Sequence, residues 1–524
     1  MGGALIRAVR RREQPLTLAA AGVILVGLAL LPLLWLLGAS ASEGGRAFGL
    51  LAAARPWALL LRSVLLASGV TLVAVALGAP LGVLIARTDL PGRRALWLLH
   101  AFPLALPPFL LALGWFYLLG RAGVVGTPVT AQALFSTGGA VVVMALCFTP
   151  VVTSLVALGV LGVDASLEEA ARVVARPWRV APPILLPAAR PGLVLAAIVV
   201  FALAFSELGV PMFLRVEAFP AAVFSRLGGI DYAPGEAFAL VLPLVPLALV
   251  LLALERRFAG AHAVAVAGLR GLARTPLPLG RWRTAATGAC WAAVLVALLP
   301  LVALALRAGA RGFAGLPQWI GWAPANSLLV AAVAATVIAV LGLVVGHAAA
   351  RRLRGAAWLD GLAVLAFVMP AAVLGVGLIA VWNRPATTLV YGSVAILVVG
   401  AAARYAAIGV RTVAVVVAQS PLCLEEAAAT TGARFGRRLL RVVLPVNRRG
   451  VFVAWLLALV FCLRDLETAV LFYPPGSEPL PVRIFTLEAN GPPAVVAALA
   501  LVHVALTAAA LAAGAWLLPR RRPA

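Results

Sequence analysis

The sequence predicts an all-α polytopic membrane protein with about 12 transmembrane helices in two parallel six-helix repeats. Three observations carry that expectation. The 524 residues are 64% hydrophobic and only 11% charged, whereas soluble domains are about half apolar and about a quarter charged. Apolar residues collect in long uncharged runs, and about 20 such residues cross a hydrocarbon core. The two halves of the chain also match each other residue for residue over several stretches.

The first run, near 17–38, follows Arg7, Arg10, Arg11 and Arg12 and ends at Ala39-Ser40-Ala41, which mimics a signal-peptidase site. Its roughly 22 residues exceed the 7–15 of a signal-peptide core, so it is read as an uncleaved first helix. Further helices are predicted near 61–86, 95–119, 138–161, 191–214 and 238–254. A second set follows near 284–306, 326–350, 359–382, 390–410, 450–473 and 493–517. The resulting division is an N-terminus at 1–16, a first repeat at 17–254 (core 61–254), a linker at 255–283, a second repeat at 284–518 (core 325–516) and a tail at 519–524. Long polar loops interrupt the repeats at 162–190 and 411–449.

Arginine placement sets the expected orientation, since cytoplasmic loops carry the positive charge. Arg87/Arg93/Arg94, the linker arginines, Arg351/Arg352/Arg354 and Arg520–Arg522 fall on one side of a twelve-span chain, with both long loops. Both termini are therefore expected in the cytoplasm, and the short outer loops leave no sizeable domain on the other side. This explains the net charge of +24 without nucleic acid as a partner. All 42 basic residues are arginine. Without a lysine the chain lacks the phosphate-binding residue of a P-loop and any Schiff-base chemistry. Any ATP hydrolysis must come from another subunit. Cys147, Cys290, Cys423 and Cys462, and His100, His262, His347 and His503, are scattered. No disulfide, metal site or catalytic constellation is expected from them.

The internal match is specific. Ser63, Gly78, Gly82 and Arg87 correspond to Ser327, Gly342, Gly346 and Arg351 at a constant offset of 264 (327 − 63). Pro107 and Gly114 correspond to Pro370 and Gly377 at 263 (370 − 107). Leu167-Glu168-Glu169-Ala170-Ala171 corresponds to Leu424-Glu425-Glu426-Ala427-Ala428 at 257 (424 − 167), and Pro187 to Pro445 at 258 (445 − 187). An even number of spans per repeat makes the repeats parallel, facing each other around one pathway.

The long loops read Glu-Ala-Ala, then an arginine-rich stretch, then Leu-Pro. In the second copy Gly432 stands between Glu426-Ala427-Ala428 and Leu444-Pro445. The first copy has Glu169-Ala170-Ala171 and Leu186-Pro187, lacks the glycine, and is one residue shorter (187 − 169 = 18 against 445 − 426 = 19). Such a loop suits two short helices joined by a tight turn, with glycine permitting a left-handed residue. In the first copy Pro177 can instead start the second helix.

These loops resemble the coupling loops of permease subunits of binding-protein-dependent ABC importers, type I. Arg87-Thr88-Asp89-Leu90-Pro91-Gly92, Phe367-Val368-Met369-Pro370 and Arg464-Asp465-Leu466-Glu467-Thr468 look like the fused permeases of the iron(III) type. The resemblance implies that Glu168, Glu169, Ala170, Ala171 and Pro187, with Glu425, Glu426, Ala427, Ala428, Gly432 and Pro445, form knobs that dock on two copies of a cytoplasmic ATPase. It also implies a periplasmic or lipid-anchored solute-binding protein as partner, a bacterial inner-membrane location, and no cofactor on this chain. The solute it suggests is iron(III), with thiamine, phosphonate, polyamine and other small solutes as alternatives.

Charges inside a bilayer cost about 2.5 kcal/mol or more and are functional candidates. Ser206, Glu207, Arg464, Asp465, Glu467 and Thr468 are candidates for the pathway or its gate. Glu207 corresponds to Asp465 at an offset of 258 (465 − 207). The two carboxylates are expected to face each other across the pathway; the alternative, which can coexist with this, is an internal ion pair in which Arg464 neutralises Asp465 or Glu467. The rival to an ABC permease is an ion-gradient-driven secondary transporter, which shares the two parallel repeats but has no need of two Glu-Ala-Ala loops.

Overall fold

The computed structural model describes residues 16–42, 49, 51–162, 177–228, 240–267 and 276–518. In the first half the helices are α1 (Leu16–Gly38), α2 (Ala54–Arg87), α3 (Arg93–Ala105), α4 (Pro108–Leu119), α5 (Pro128–Leu134), α6 (Thr137–Leu161), α7 (Pro177–Ser206), α8 (Gly209–Phe213), α9 (Phe219–Gly228) and α10 (Leu244–Ala267). In the second half they are α11 (Arg283–Trp319), α12 (Ala323–Ala350), α13 (Ala356–Val368), α14 (Ala371–Trp382), α15 (Ala395–Ala418), α16 (Leu422–Thr430), α17 (Phe435–Leu463), α18 (Ala469–Phe472), α19 (Leu480–Glu488) and α20 (Pro493–Leu517). Among the described residues nine helices are long and apolar enough to span a membrane, or up to eleven if each of two bent pairs is one span; the apolar stretch Leu244–Leu254 is shorter. The chain is an all-helical, multi-pass membrane protein.

The third and ninth predicted helices, 95–119 and 359–382, are each broken. α3 and α4 meet at 100°, and α13 and α14 at 108°. The cause is proline. Pro108 has no N–H to offer the Leu104 carbonyl four residues back, and Met369, just before Pro370, is extended (ψ 132°), as a residue preceding proline prefers. The predicted helices 191–214 and 450–473 also break near their ends, at Glu207–Leu208 and Arg464–Thr468. Their other ends start earlier than predicted, at Pro177 and Phe435.

Corresponding glycines are notches for helix packing, because a small residue lets two backbones approach in lipid. A Cβ on Gly82 would lie 2.7 Å from the Thr153 carbonyl oxygen, so α2 packs directly on α6. In the second half a Cβ on Gly342 would lie 2.7 Å from the Gly409 backbone, and α12 packs on α15 in the same way. Ser63 accepts the Phe219 N–H at 2.7 Å, and Ser327 accepts the Leu480 N–H at 2.6 Å, fastening the starts of α9 and α19, the second helix after each break.

The leading helices cross over between the halves. α11 packs on α4, where Gly114 meets Pro300, and α1 packs on α14, where Gly377 meets Pro32. Each half thereby buries apolar surface of the other. The segment before α11 is fastened as well: Leu277 donates to the Arg87 carbonyl at 2.8 Å, and Asp89 accepts from the Leu279 N–H at 3.0 Å.

Candidate functional site

The second Glu-Ala-Ala loop folds as a knob. α16 carries Glu425, Glu426, Ala427 and Ala428; Gly432 makes the turn with φ +77°, and the chain re-enters helix at Phe435. The Gly432 and Ala433 N–H groups close onto the Ala429 and Ala428 carbonyls, a left-handed C-terminal cap that glycine adopts without a Cβ penalty. Pro445 lies within α17, ten residues after Phe435 (445 − 435) and just after a wide turn at Leu439–Val443.

The two glutamates of the knob do different things. Glu425 is clasped from behind. Its Oε1 accepts from Arg351 Nε at 2.9 Å and Arg351 Nη2 at 2.7 Å, and its Oε2 lies 2.8 Å from His347 Nε2. Arg351 Nη2 also reaches the Ser420 carbonyl and hydroxyl. The knob is thus tied to the end of α12. Glu426 and Ala427 point outward and are exposed. Glu168, Glu169, Ala170 and Ala171 lie outside the described residues. Pro187 sits exposed within α7, which begins at Pro177.

Burial pushes the Glu425 carboxyl up, but the hydrogen bonds and charge of His347 and Arg351 more than reverse this and hold it below its ordinary value of 4.5. A depressed carboxylate stabilises the fold fully above the unfolded value, and the contribution is lost as pH falls through the folded one. Hydrogen exchange of 422–438 is therefore expected to stay slow from neutral pH to about 4.5 and to accelerate below it. Glu425→Gln is expected to exchange fast throughout; unchanged exchange in that variant would show that the clasp does not hold the knob.

The second constellation is buried at the two breaks that end α7 and α17. Glu207, 2% exposed, accepts the Gly209 and Val210 N–H groups on Oε1 at 3.1 and 3.2 Å. Asp465 accepts the Thr468 N–H at 3.2 Å. The carboxylates matched by sequence thus do the same local job, capping the short helix after the break. The carboxyl that adjoins Glu207 is that of Glu467, not Asp465 as expected. The ion pair also differs from expectation. Glu467 is held by Arg404 Nη2 at 2.8 Å, while Arg464 donates to the Leu104 carbonyl and lies over the Phe148 and Phe461 rings.

Arg404, 2% exposed on α15, is the residue the sequence analysis missed. The signal was available, a lone charge within the predicted helix 390–410. Its Nη1 donates to the Met369 carbonyl at 2.7 Å. Both arginines therefore serve carbonyls at the proline breaks, Arg404 within its own half and Arg464 across to the first half. Pro107, Phe109, Tyr405 and Phe461 line the narrow space around this cluster. The Ser206 hydroxyl is buried beside it with no partner among the described residues, and Thr468 is buried too. Among the described residues no group of three or more His, Cys, Asp or Glu is arranged to hold a metal ion.

A helical membrane protein with a clasped knob and a charged break between its halves is a transporter-like design, and the comparisons agree. No protein-family model matches the chain. It is similar to the "Molybdenum transport system permease protein ModB" of Escherichia coli K12, 29% identical over 208 residues, 37% of this chain and 90% of that protein. It is similar to the "Probable molybdenum ABC transporter permease protein HVO_B0370" of Haloferax volcanii, 35% identical over 156 residues, 29% of this chain and 56% of that one. It is also similar to the "Putative ferric transport system permease protein FbpB 1" of Haemophilus influenzae, 24% identical over 399 residues, 70% of this chain and 62% of that one. All three relatives are named as permease proteins, two of a transport system and one of an ABC transporter.

Proposed function

We propose that this chain is the membrane-spanning permease subunit of an ATP-driven importer, with both halves of the translocation pathway in one polypeptide. The observation that carries the reading is the second knob: a short helix clasped from behind through Glu425 and presenting Glu426 outward past the Gly432 turn. An exposed, rigidly tethered helix is suited to being pushed by a partner. With no lysine anywhere in the chain, the force must come from ATPase subunits, one per knob. Solute would arrive from a binding protein on the side opposite the knobs, which the arginine-rich loops place in the cytoplasm.

The solute we assign first is iron(III), because the ferric relative aligns over 70% of this chain and so extends across both halves. An oxyanion such as molybdate is the second reading, favoured by the relatives named for molybdenum and by two buried arginines at the break.

The test is a mild-detergent pull-down from native membranes with identification of co-purifying proteins. The wild-type chain is expected to bring an ATPase. Glu426→Arg, which reverses an exposed charge, is expected to lower its recovery at least about tenfold, the equivalent of losing one good charged contact at an interface. A wild-type chain that comes alone even after crosslinking would overturn the reading in favour of transport driven by an ion gradient. The ligand of any co-purifying binding protein separates iron(III) from molybdate.

A further inference from the structure

We infer that the two halves of the chain hold a single proton between Glu207 and Glu467, at the break where the pathway is closed. The groups that face this pair are Arg404 and Tyr405 from α15, Arg464 and Asp465 from the break after α17, Cys147 from α6, and the N-terminus of α8. Of these, two guanidinium groups stand against three carboxyls, Glu207, Asp465 and Glu467. With every carboxyl ionised the cluster carries a net negative charge in a setting that penalises any uncompensated charge. One proton brings the count to zero.

Hydrogen bonding places that proton. Asp465 has the Thr468 N–H and Glu467 Oε2 has Arg404. Glu207 Oε1 takes two N–H groups, but Oε2, buried in a residue 2% exposed, has no donor among the described residues. The Glu467 carboxyl, another acceptor, adjoins the Glu207 carboxyl and lines the same narrow space. Two ionised carboxylates in that position repel; with one proton between them the same contact becomes a hydrogen bond joining the first half of the chain to the second.

The proton is then part of the closed state. Separating the halves exposes both carboxyls to water, and the proton leaves to solvent. Closing binds it again. The closed state thus holds one more proton than the open one, and the open-to-closed ratio rises by up to about tenfold per pH unit where the pair titrates. Acid on the side to which the pathway opens is expected to slow transport. This last consequence rests on the permease reading; the shared proton itself does not.

The experiment is therefore made on the purified full chain alone in lipid, by infrared difference spectroscopy of the protonated-carboxyl C=O stretch at neutral pH. Wild type minus Glu207→Gln and wild type minus Glu467→Gln are each expected to show the loss of one such band. Wild type minus Glu425→Gln, which removes a carboxyl outside the cluster that is held below its ordinary value of 4.5 and is ionised at neutral pH, is expected to show none. Monodisperse elution of each variant controls for folding, and glutamine preserves the acceptor that serves Gly209 or Arg404. Loss of the band in Glu425→Gln, or no band lost in Glu207→Gln or Glu467→Gln, would overturn the inference. Neither result would bear on ATPase recovery in the pull-down, so the two readings fail separately.

Discussion

Arg404→Ala is expected to destabilise the protein by about 3–5 kcal/mol, the cost of leaving a buried charge without its partner. The residue is 2% exposed, and its guanidinium serves two groups, the Glu467 carboxylate at 2.8 Å and the Met369 carbonyl at 2.7 Å. The carbonyl is left over by the break before Pro370, and in lipid no water replaces a missing donor. Glu467→Gln on its own should cost less, since the amide still accepts from Arg404. The informative variant is the double one: once Glu467 is neutral, removal of Arg404 strands no charge, and Arg404→Ala/Glu467→Gln should recover about 1–3 kcal/mol relative to Arg404→Ala. Arg404→Lys is expected to fall between, because an ammonium reaches one partner where the planar guanidinium reaches both. Unfolding in mixed micelles measures all four. A loss below about 1 kcal/mol for Arg404→Ala would mean that the pair is wet and worth no more than a surface ion pair.

Much of this architecture was legible in the sequence because lipid constrains a chain so strongly. Apolar runs gave the helices. The matched Ser63 and Ser327 turned out to make the same hydrogen bond in each half, to Phe219 and Leu480. What periodicity could not give was the direction of a helix after a proline. Pro107-Pro108 and Pro370 sit in continuous apolar runs, so hydropathy reads one segment where the backbone turns by 100° or 108°. Within the charged break, the sequence located Glu207, Arg464, Asp465 and Glu467 but not their pairing. Neighbours along the chain suggested Arg464 with Asp465 or Glu467. A helix break points adjacent residues in different directions, and Arg404, some sixty positions away (467 − 404 = 63), takes Glu467 instead. The knob shows the same limit. Two consecutive glutamates read alike in sequence, yet one faces the clasp of Arg351 and His347 and the other faces out.

The matched glycines lead to the other large effect. Gly409→Leu is expected to cost at least about 3 kcal/mol, beyond the usual range for an overpacked core, because what the new side chain meets is backbone. A Cβ there would lie 2.5 Å from the Ile338 carbonyl oxygen and 2.7 Å from its Cγ2. Carbonyls within a helix cannot swing away as a side-chain tip can, so α12 and α15 must separate along their length. That separation would disturb Arg404, five residues before Gly409 on α15 (409 − 404), and the α12 end that carries His347 and Arg351. One substitution midway should therefore weaken both the charge cluster and the clasp of the knob. Gly288→Ala provides the contrast. Gly288 lies within α11 with open space around the Cβ position, and alanine there should stabilise by up to about 1 kcal/mol through helix propensity alone. Thermal melts in the same detergent compare the two. If Gly409→Leu melts with wild type, the helices do not approach at the distance that the matched glycines allow. If it melts early while hydrogen exchange in 422–438 stays slow, the knob is held independently of this contact. Early melting together with fast exchange at the knob would establish that close packing of α12 on α15 holds both sites in place.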